Sequence, residues 1–272
     1  MMSRSIRLLD CLRPSACRIA LIFLHTELSV ADFAVHRKKI EILWRNAVFK
    51  CAADSGANFL YRHLCTDANG KPDPRSTWLP DLICGDFDSA EPEVLKFFKS
   101  FPSVRIEKTP DQDATDFTKA LKLVGEILRN RSECGEPDGL NSSSSNVDMI
   151  VAVCSGRGRF DHSMGNINTL FSSAQYTNLP VILMSETDMQ YVIPGGTAQT
   201  MILDTGLEGP YCGLLPLSGP SIVSTSGLQW NLFNETLSFG GLISTSNSLD
   251  RETVMVKCSE PLLWTMSVKN LK

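Results

Sequence analysis

From Ile19 to about Ser185 the chain alternates short apolar runs with stretches of helical spacing. The runs are IALIFL (19–24), AVFKCAA (47–53), DLICG (81–85), VRIEK (104–108), DMIVAVC (148–154) and VILMS (181–185). Each is too short for a helix and several are rich in β-branched residues, so they predict strands. Apolar positions at helical spacing predict helices around 31–46, 57–65, 91–100, 115–129 and 163–175. This alternation predicts an α/β domain, a parallel sheet covered by helices on both faces. A polar, Ser- and Gly-rich stretch at 130–146 predicts a surface loop that buries too little apolar area to offset its ordering entropy.

After Ser185 the pattern changes. Turn signals (PGG, DTGLEGP, LSGP, TSG, FNE, GG, SNSLD) punctuate short segments such as QTMILD, LSFGGLIS, TVMVKC and LLWTMSV, the pattern of an all-β sandwich or barrel. The chain therefore divides into an N-terminal extension (1–17), an α/β domain (18–187) and a C-terminal β-sandwich domain (188–272).

Composition narrows the class of partner. The 272 residues are 43% hydrophobic and 21% charged, with a formal net charge of -4, so the chain is globular and has no polybasic footprint. Nucleic acid and anionic membrane are poor partners for it, no stretch approaches a membrane span, and a small ligand fits better. The nine cysteines form no C-x-x-C pair and several sit in apolar stretches such as FKCAAD, LICGD and VAVCSG, as in a cytoplasmic protein with reduced thiols. The N-terminus is basic and then apolar, as targeting segments are, but Asp10, Arg13, Pro14 and Arg18 interrupt any apolar core, and RIALIFL reads as a first buried strand.

In an open parallel sheet, ligands sit beyond the carboxyl ends of the strands. There this sequence places Asp54-Ser55-Gly56, then Gly85-Asp86-Phe87-Asp88, then Asp111-Gln112-Asp113-Ala114-Thr115-Asp116, then Ser155-Gly156-Arg157-Gly158-Arg159-Phe160-Asp161-His162. Several carboxylates crowded on one rim repel one another unless a cation sits among them. An extended backbone through Phe87 would let Asp86 and Asp88 reach one Mg²⁺ together. Each piece also has an ordinary reading: strand-end turns for Asp86 and Asp88, a helix N-cap with a first-turn acid for Asp113 and Asp116, and an exposed turn for SGRGRFDH. Its functional reading is a backbone nest with two arginines that cradle phosphates. His162 reads as a supporting or turn residue rather than a metal ligand.

The ordered set CAADSGAN, LICGDFDS, TPDQDATDFTKAL, GRFDH, DTGLEGPYCGLLPL, TSGLQWNL and ISTSNS resembles thiamin pyrophosphokinases of the animal type, from about residue 18 to the end. The resemblance implies an α/β domain followed by a β-sandwich, a homodimer, and transfer of the β,γ-diphosphate of ATP to the hydroxyethyl group of thiamin, leaving AMP. It implies a metal site at Asp86, Asp88 and Asp116 with Mg²⁺, catalytic neighbours Gln112 and Asp113, and Asp54 at the nucleotide end, while Arg157, Arg159 and Asp161 are read from the SGRGRFDH residues themselves as the phosphate-binding set. It places thiamin at Trp230 and along Ser244, Thr245, Ser246 and Asn247. An indole face suits both the permanent cation and the flat pyrimidine of thiamin, although Trp230 also reads as a sandwich core residue and Trp264 reads as core. The family pattern Asp-Gly-Gly is Asp54-Ser55-Gly56 here, which questions any need for a positive φ at position 55, and a similar Gly-Gly is Ser155-Gly156. A D-x-D after an apolar strand also occurs in sugar-nucleotide transferases and aspartyl-phosphate phosphatases, and a non-catalytic thiamin or nucleotide sensor is a third reading.

Overall fold

The computed structural model describes residues 4–26, 28–66, 71, 73, 76–133 and 146–271. In chain order the elements are β1 (Arg4–Ile6), β2 (Ile19–Phe23), α1 (Val30–Asn46), β3 (Ala47–Ala53), α2 (Gly56–Leu64), β4 (Leu82–Gly85), α3 (Pro92–Lys99), β5 (Arg105–Lys108), α4 (Asp116–Glu133), β6 (Met149–Val153), α5 (Phe160–Ser172) and β7 (Val181–Met184). Then follow β8 (Asp188–Ile193), β9 (Ala198–Ile202), β10 (Glu208–Leu215), β11 (Ser221–Ser226), β12 (Glu235–Leu237), β13 (Ser244–Asn247), β14 (Thr253–Cys258) and β15 (Leu262–Val268). Of the polar stretch predicted as a loop, residues 134–145 lie outside the described residues. No described helix is long and apolar enough to cross a membrane.

Strands β7, β6, β2, β3, β4 and β5 lie side by side in that order and are parallel. Alternation along β2 explains the two layers of helices. Ile19, Leu21 and Phe23 point to the core shared with Phe33, Ile40 and Leu43 of α1 and Phe59 and Leu60 of α2. Ala20 and Ile22 point to the opposite core with Phe117, Ala120, Leu121 and Val124 of α4 and Leu170 of α5. The chain winds outward from β2 through β5 and then returns to β2's other edge as β6. That reversal opens a crevice at the carboxyl ends, where ligands of such sheets bind.

The sandwich is not a separate body. A tight turn at Ser185–Thr187 joins β7 to antiparallel β8, and β15, β10 and β13 extend the same sheet to ten strands. The second sheet, β1-β9-β14-β11-β12, packs over this extension, so the apolar face lined by α1 and α2 runs on into the sandwich core around Trp264.

The N-terminal segment belongs to this core as well. β1 pairs in parallel with β9, and Leu8, Leu9, Cys11 and Leu12 are fully buried. Burying each leucine contributes about 1.5–3 kcal/mol. Asn46, at the end of α1, fixes the segment by donating to the carbonyls of Cys11 (2.9 Å) and Arg13 (2.8 Å) and accepting from Ser15 N–H (2.9 Å). Residues 4–12 thus act as a strap across both parts of the molecule.

Candidate active site

The acidic rim is made by backbone that side chains rarely adopt. Asp54 follows β3 with φ 45°, and Phe87 has φ 65°, so the chain through Phe87 turns rather than staying extended. The expectation of extended backbone is corrected here. Phe87 packs against the apolar core while Asp86 and Asp88 both turn to the rim, joined by a bond from Asp88 N–H to Asp86 Oδ1 (3.3 Å). Gly85 passes so close to Asp54 that a Cβ there would sit 3.0 Å from Asp54 Cβ. One carboxylate oxygen each of Asp54, Asp86 and Asp88 lie within 4.8 Å of one another.

Asp54 is buried and its Oδ1 has no hydrogen-bond partner. Burial, then the negative charges of Asp116, Asp88 and Asp86, push its carboxyl up to about 6. Asp116, the first residue of α4, is also shifted upward by burial, against the pull of Lys119. Lys119 is absent from the sequence-derived set. Its Nζ bonds Asp86 Oδ2 (2.9 Å) and Asp116 Oδ1 (3.3 Å), and its side chain is only 5% exposed. Lys119 holds the Asp86 carboxyl below its ordinary range. The available signal was its position three residues after Asp116, on the same helix face.

The geometry thus groups Asp54 with Asp86 and Asp88, and Asp116 joins them through Lys119. Gln112 Nε2 donates to Asp86 Oδ2 (3.3 Å). Asp113 is exposed, with its N–H held by Asp111 Oδ1 (2.9 Å), and the side-chain cap of α4 comes from Thr115, whose hydroxyl accepts from Thr118 N–H (3.2 Å). The cap therefore falls on Thr115 rather than Asp113, because the loop before it is already turned by Asp111.

Ser55 resolves the departure at the Asp-Gly-Gly position. Its φ is -62°, which any residue adopts. The glycine requirement falls on Gly56 instead, where a Cβ would lie 2.1 Å from the carbonyl oxygen of Phe23. Ser55 Oγ hydrogen-bonds His25 Nδ1 (2.8 Å), and the His25 ring meets His162 edge-on at 5.8 Å. His25 was legible only as the first polar residue after β2.

The loop after β6 corrects a further expectation. Gly156 N–H donates to Glu186 Oε2 (2.7 Å) and Arg157 N–H donates to Ser155 Oγ (3.1 Å), so these two amides face inward rather than forming a nest for phosphate. The arginine side chains remain outside. Arg157 Nη1 bonds Asp32 (3.2 Å), and Arg159 is clamped by both carboxylate oxygens of Asp161, with Nε to Oδ1 at 3.1 Å. Helix α5 starts at Phe160, three residues earlier than its apolar pattern predicts, and so carries Asp161 and His162 in its first turn.

In the sandwich, Trp230 is 62% exposed and Trp264 is fully buried, which removes the core reading for Trp230 and retains it for Trp264. Asn247 is buried; its Oδ1 accepts from the N–H groups of Trp230 (3.2 Å) and Ser248 (2.9 Å) and its Nδ2 donates to Trp230 O (2.8 Å). Asn247 therefore holds the Trp230 loop with both ends of its amide. Ser244 is half-buried at 3.4 Å from Asn247 Nδ2, and Thr245 and Ser246 are exposed.

A parallel sheet with a carboxylate-rich rim, fused to a sandwich that displays an aromatic, defines a two-part enzyme architecture, and the comparisons give its family. Residues 40–183 match the model for "Thiamin pyrophosphokinase, catalytic domain" and residues 199–263 match "Thiamin pyrophosphokinase, vitamin B1 binding domain". The chain is 36% identical to thiamine pyrophosphokinase 1 of Oryza sativa subsp. japonica over 84% of this chain and 82% of that protein. It is 34% identical to thiamine pyrophosphokinase 2 of Arabidopsis thaliana over 96% and 91% of the respective chains. The crystal structure of yeast thiamin pyrophosphokinase has the same fold, with a TM-score of 0.76 at 24% identity over 98% of this chain and 92% of that one. The chain belongs to the thiamin pyrophosphokinase family. Its enzymatic activity is that of a thiamine diphosphokinase.

Proposed function

We propose that the enzyme transfers the diphosphate group of ATP to the hydroxyethyl oxygen of thiamin, giving thiamin diphosphate and AMP, with Mg²⁺ held at Asp54, Asp86 and Asp88. The observation that carries this reading is the buried Asp54 carboxyl, which has an orphaned Oδ1 and lies in one cluster with two further carboxylates. Three hard oxygen donors suit a hard dication. Bound there, Mg²⁺ would supply charge neutralisation to a polyphosphate. Asp116 supports the set from α4 through Lys119, and Gln112 fixes Asp86.

Diphosphate transfer asks the protein mainly for alignment and charge compensation. Arg157 and Arg159 lie at the end of β6, beside the crevice, and Asp32 and Asp161 hold their guanidiniums until phosphate oxygens take their place. The thiamin alcohol has a high pKa and a carboxylate is a weak base for it, so its proton leaves late. Asp113, exposed beside Gln112, is our candidate acceptor.

Thiamin would stack on Trp230, with Ser244 and Ser246 lining the same edge and Asn247 holding the loop. β13 and β4 are eight strand spacings apart in the ten-stranded sheet, about 38 Å along it. This separation supports a homodimer in which the sandwich of one subunit faces the acidic rim of the other. All eight described cysteines are free thiols, which supports a reducing, cytoplasmic location.

Product analysis with ATP, Mg²⁺ and thiamin tests the reaction. The expected products are AMP and thiamin diphosphate in equal amounts, with none formed when the dication is chelated. ADP with thiamin monophosphate, or a trapped phosphoenzyme at Asp86, would refute it.

A further inference from the structure

We infer that Glu186 is a positioning residue for the nucleotide: from inside the fold it sets the backbone of the loop that carries Arg157 and Arg159. The inference rests on the reading that these arginines meet the phosphates of ATP. Glu186 follows β7, at the turn where the parallel sheet gives way to the antiparallel extension, and is only 8% exposed. Both of its carboxylate oxygens are spent on the neighbouring strand's loop. Oε2 accepts from Gly156 N–H (2.7 Å), and Oε1 accepts from Ser155 Oγ (3.1 Å), which in turn accepts from Arg157 N–H (3.1 Å). Two successive amides are thereby fixed, one directly and one through a hydroxyl.

The packing leaves no slack in this arrangement. A Cβ on Gly156 would stand 3.0 Å from Glu186 Oε2 and 3.3 Å from Ser185 Oγ, so the loop backbone lies directly on the carboxylate. Glu186 is itself anchored from the other side, because the ammonium of buried Lys39 on α1 donates to its carbonyl oxygen (2.6 Å). Hydrogen bonds from backbone N–H groups to a buried carboxylate are among the stronger ones. Their consequence here is directional: with Gly156 and Arg157 amides turned inward, the side chains of Arg157 and Arg159 are held outward at the rim. Glu186 touches no substrate in this scheme and acts only through the loop.

The test is a set of steady-state measurements on the full-length enzyme. E186Q keeps the size of the side chain but faces one donor with an amide N–H₂, so it should raise KM for ATP about tenfold, the scale of one lost charge-assisted hydrogen bond. KM for thiamin and kcat should stay within about threefold. S155A breaks only the relay to Arg157 and should raise KM for ATP by a smaller factor, which keeps the test alive if E186Q does not fold. On a background carrying R157A and R159A, which should itself raise KM for ATP, E186Q should add less than about twofold, because residues acting through one another are not additive. Full additivity on that background, or equal changes in both KM values and kcat together with a lower Tm, would overturn the inference and leave a structural role. An unchanged KM for ATP in the R157A/R159A enzyme would overturn the phosphate reading itself, and the inference with it.

Discussion

Asp54 and Asn247 are both buried polar side chains at the end of a strand, one at the acidic rim and one in the sandwich, and their surroundings differ in kind. Asn247 has partners at both ends of its amide and ties the two sides of the Trp230 loop together. Asp54 has an oxygen with no partner and three other carboxylates for neighbours. A buried unpaired polar atom is costly, and like charges raise that cost. The Trp230 loop is therefore held by its own hydrogen bonds, whereas on the reading proposed above the rim would be completed by a cation. Left-handed backbone does not follow this division: Asp54 and Phe87 take such angles at the rim, and Asn234 and Ser246 take them in the sandwich.

The sharpest way to break this contrast is to remove charge from the rim. Asp88 is exposed and free of the Lys119 pair, so D88N should lower turnover at least about 100-fold, as loss of a metal ligand does, with no loss of Tm. D86N should lose comparable activity but also melt earlier, because buried Lys119 then keeps only Asp116. Near-normal turnover of D88N at saturating Mg²⁺ would remove the site.

Removing the displayed ring in the sandwich should have a smaller and more selective effect. W230A should raise KM for thiamin about tenfold, the scale of a cation–π contact, with KM for ATP and Tm unchanged because the ring is exposed. N247A should do the reverse in stability, costing about 2 kcal/mol through lost buried hydrogen bonds, seen as a lower Tm in thermal melts. Equal Tm for the two variants would erase the distinction between a displayed ligand group and its support.

The smallest effect is a pH dependence. Asp54 titrates near 6 in the folded protein against an ordinary 3.8, so the folded state holds this proton more tightly than the unfolded state. Its contribution to stability is present below about pH 4 and is lost as pH rises through about 6. D54N should accordingly melt above the wild type at about pH 8 in the absence of dication, and level with it at about pH 4. Saturating Mg²⁺ should close the gap at the higher pH by stabilising only the wild type. A D54N advantage that is the same at both pH values would show that charge is not its cause.

Local periodicity made much of this molecule legible. The six strands from IALIFL to VILMS and the five helices between them fall within a few residues of their predicted bounds, because each has a run of apolar side chains with its own spacing. What the periodicity could not carry is pairing between distant segments. β1 is three residues long and gains its identity only by lying beside β9, so its basic and apolar neighbourhood read as an extension with a hint of targeting. The continuity of the ten-stranded sheet was hidden for the same reason, since Ser185–Thr187 is as good a domain boundary as a turn. At the site, the aspartates were legible as acids after strands. Lys119 and Glu186 were not, because a lysine in a helix and a glutamate in a turn are ordinary until the fold shows them buried against the rim and the arginine loop.

On the proposed reading, the rim at the ends of β3 and β4 and the Trp230 loop between β11 and β12, carried by different sheets of one chain, would meet across a two-fold axis as one site. Co-expression of D88A and W230A chains tests it most directly, because each variant then disables a different half of the composite site. Random pairing makes about half of the molecules mixed dimers, each with one intact and one doubly damaged site. A composite site should recover roughly a quarter of wild-type activity from two nearly inactive parents. If both residues serve one site from the same chain, every site in the mixed dimer keeps one lesion, and the co-expressed enzyme would be as inactive as its parents.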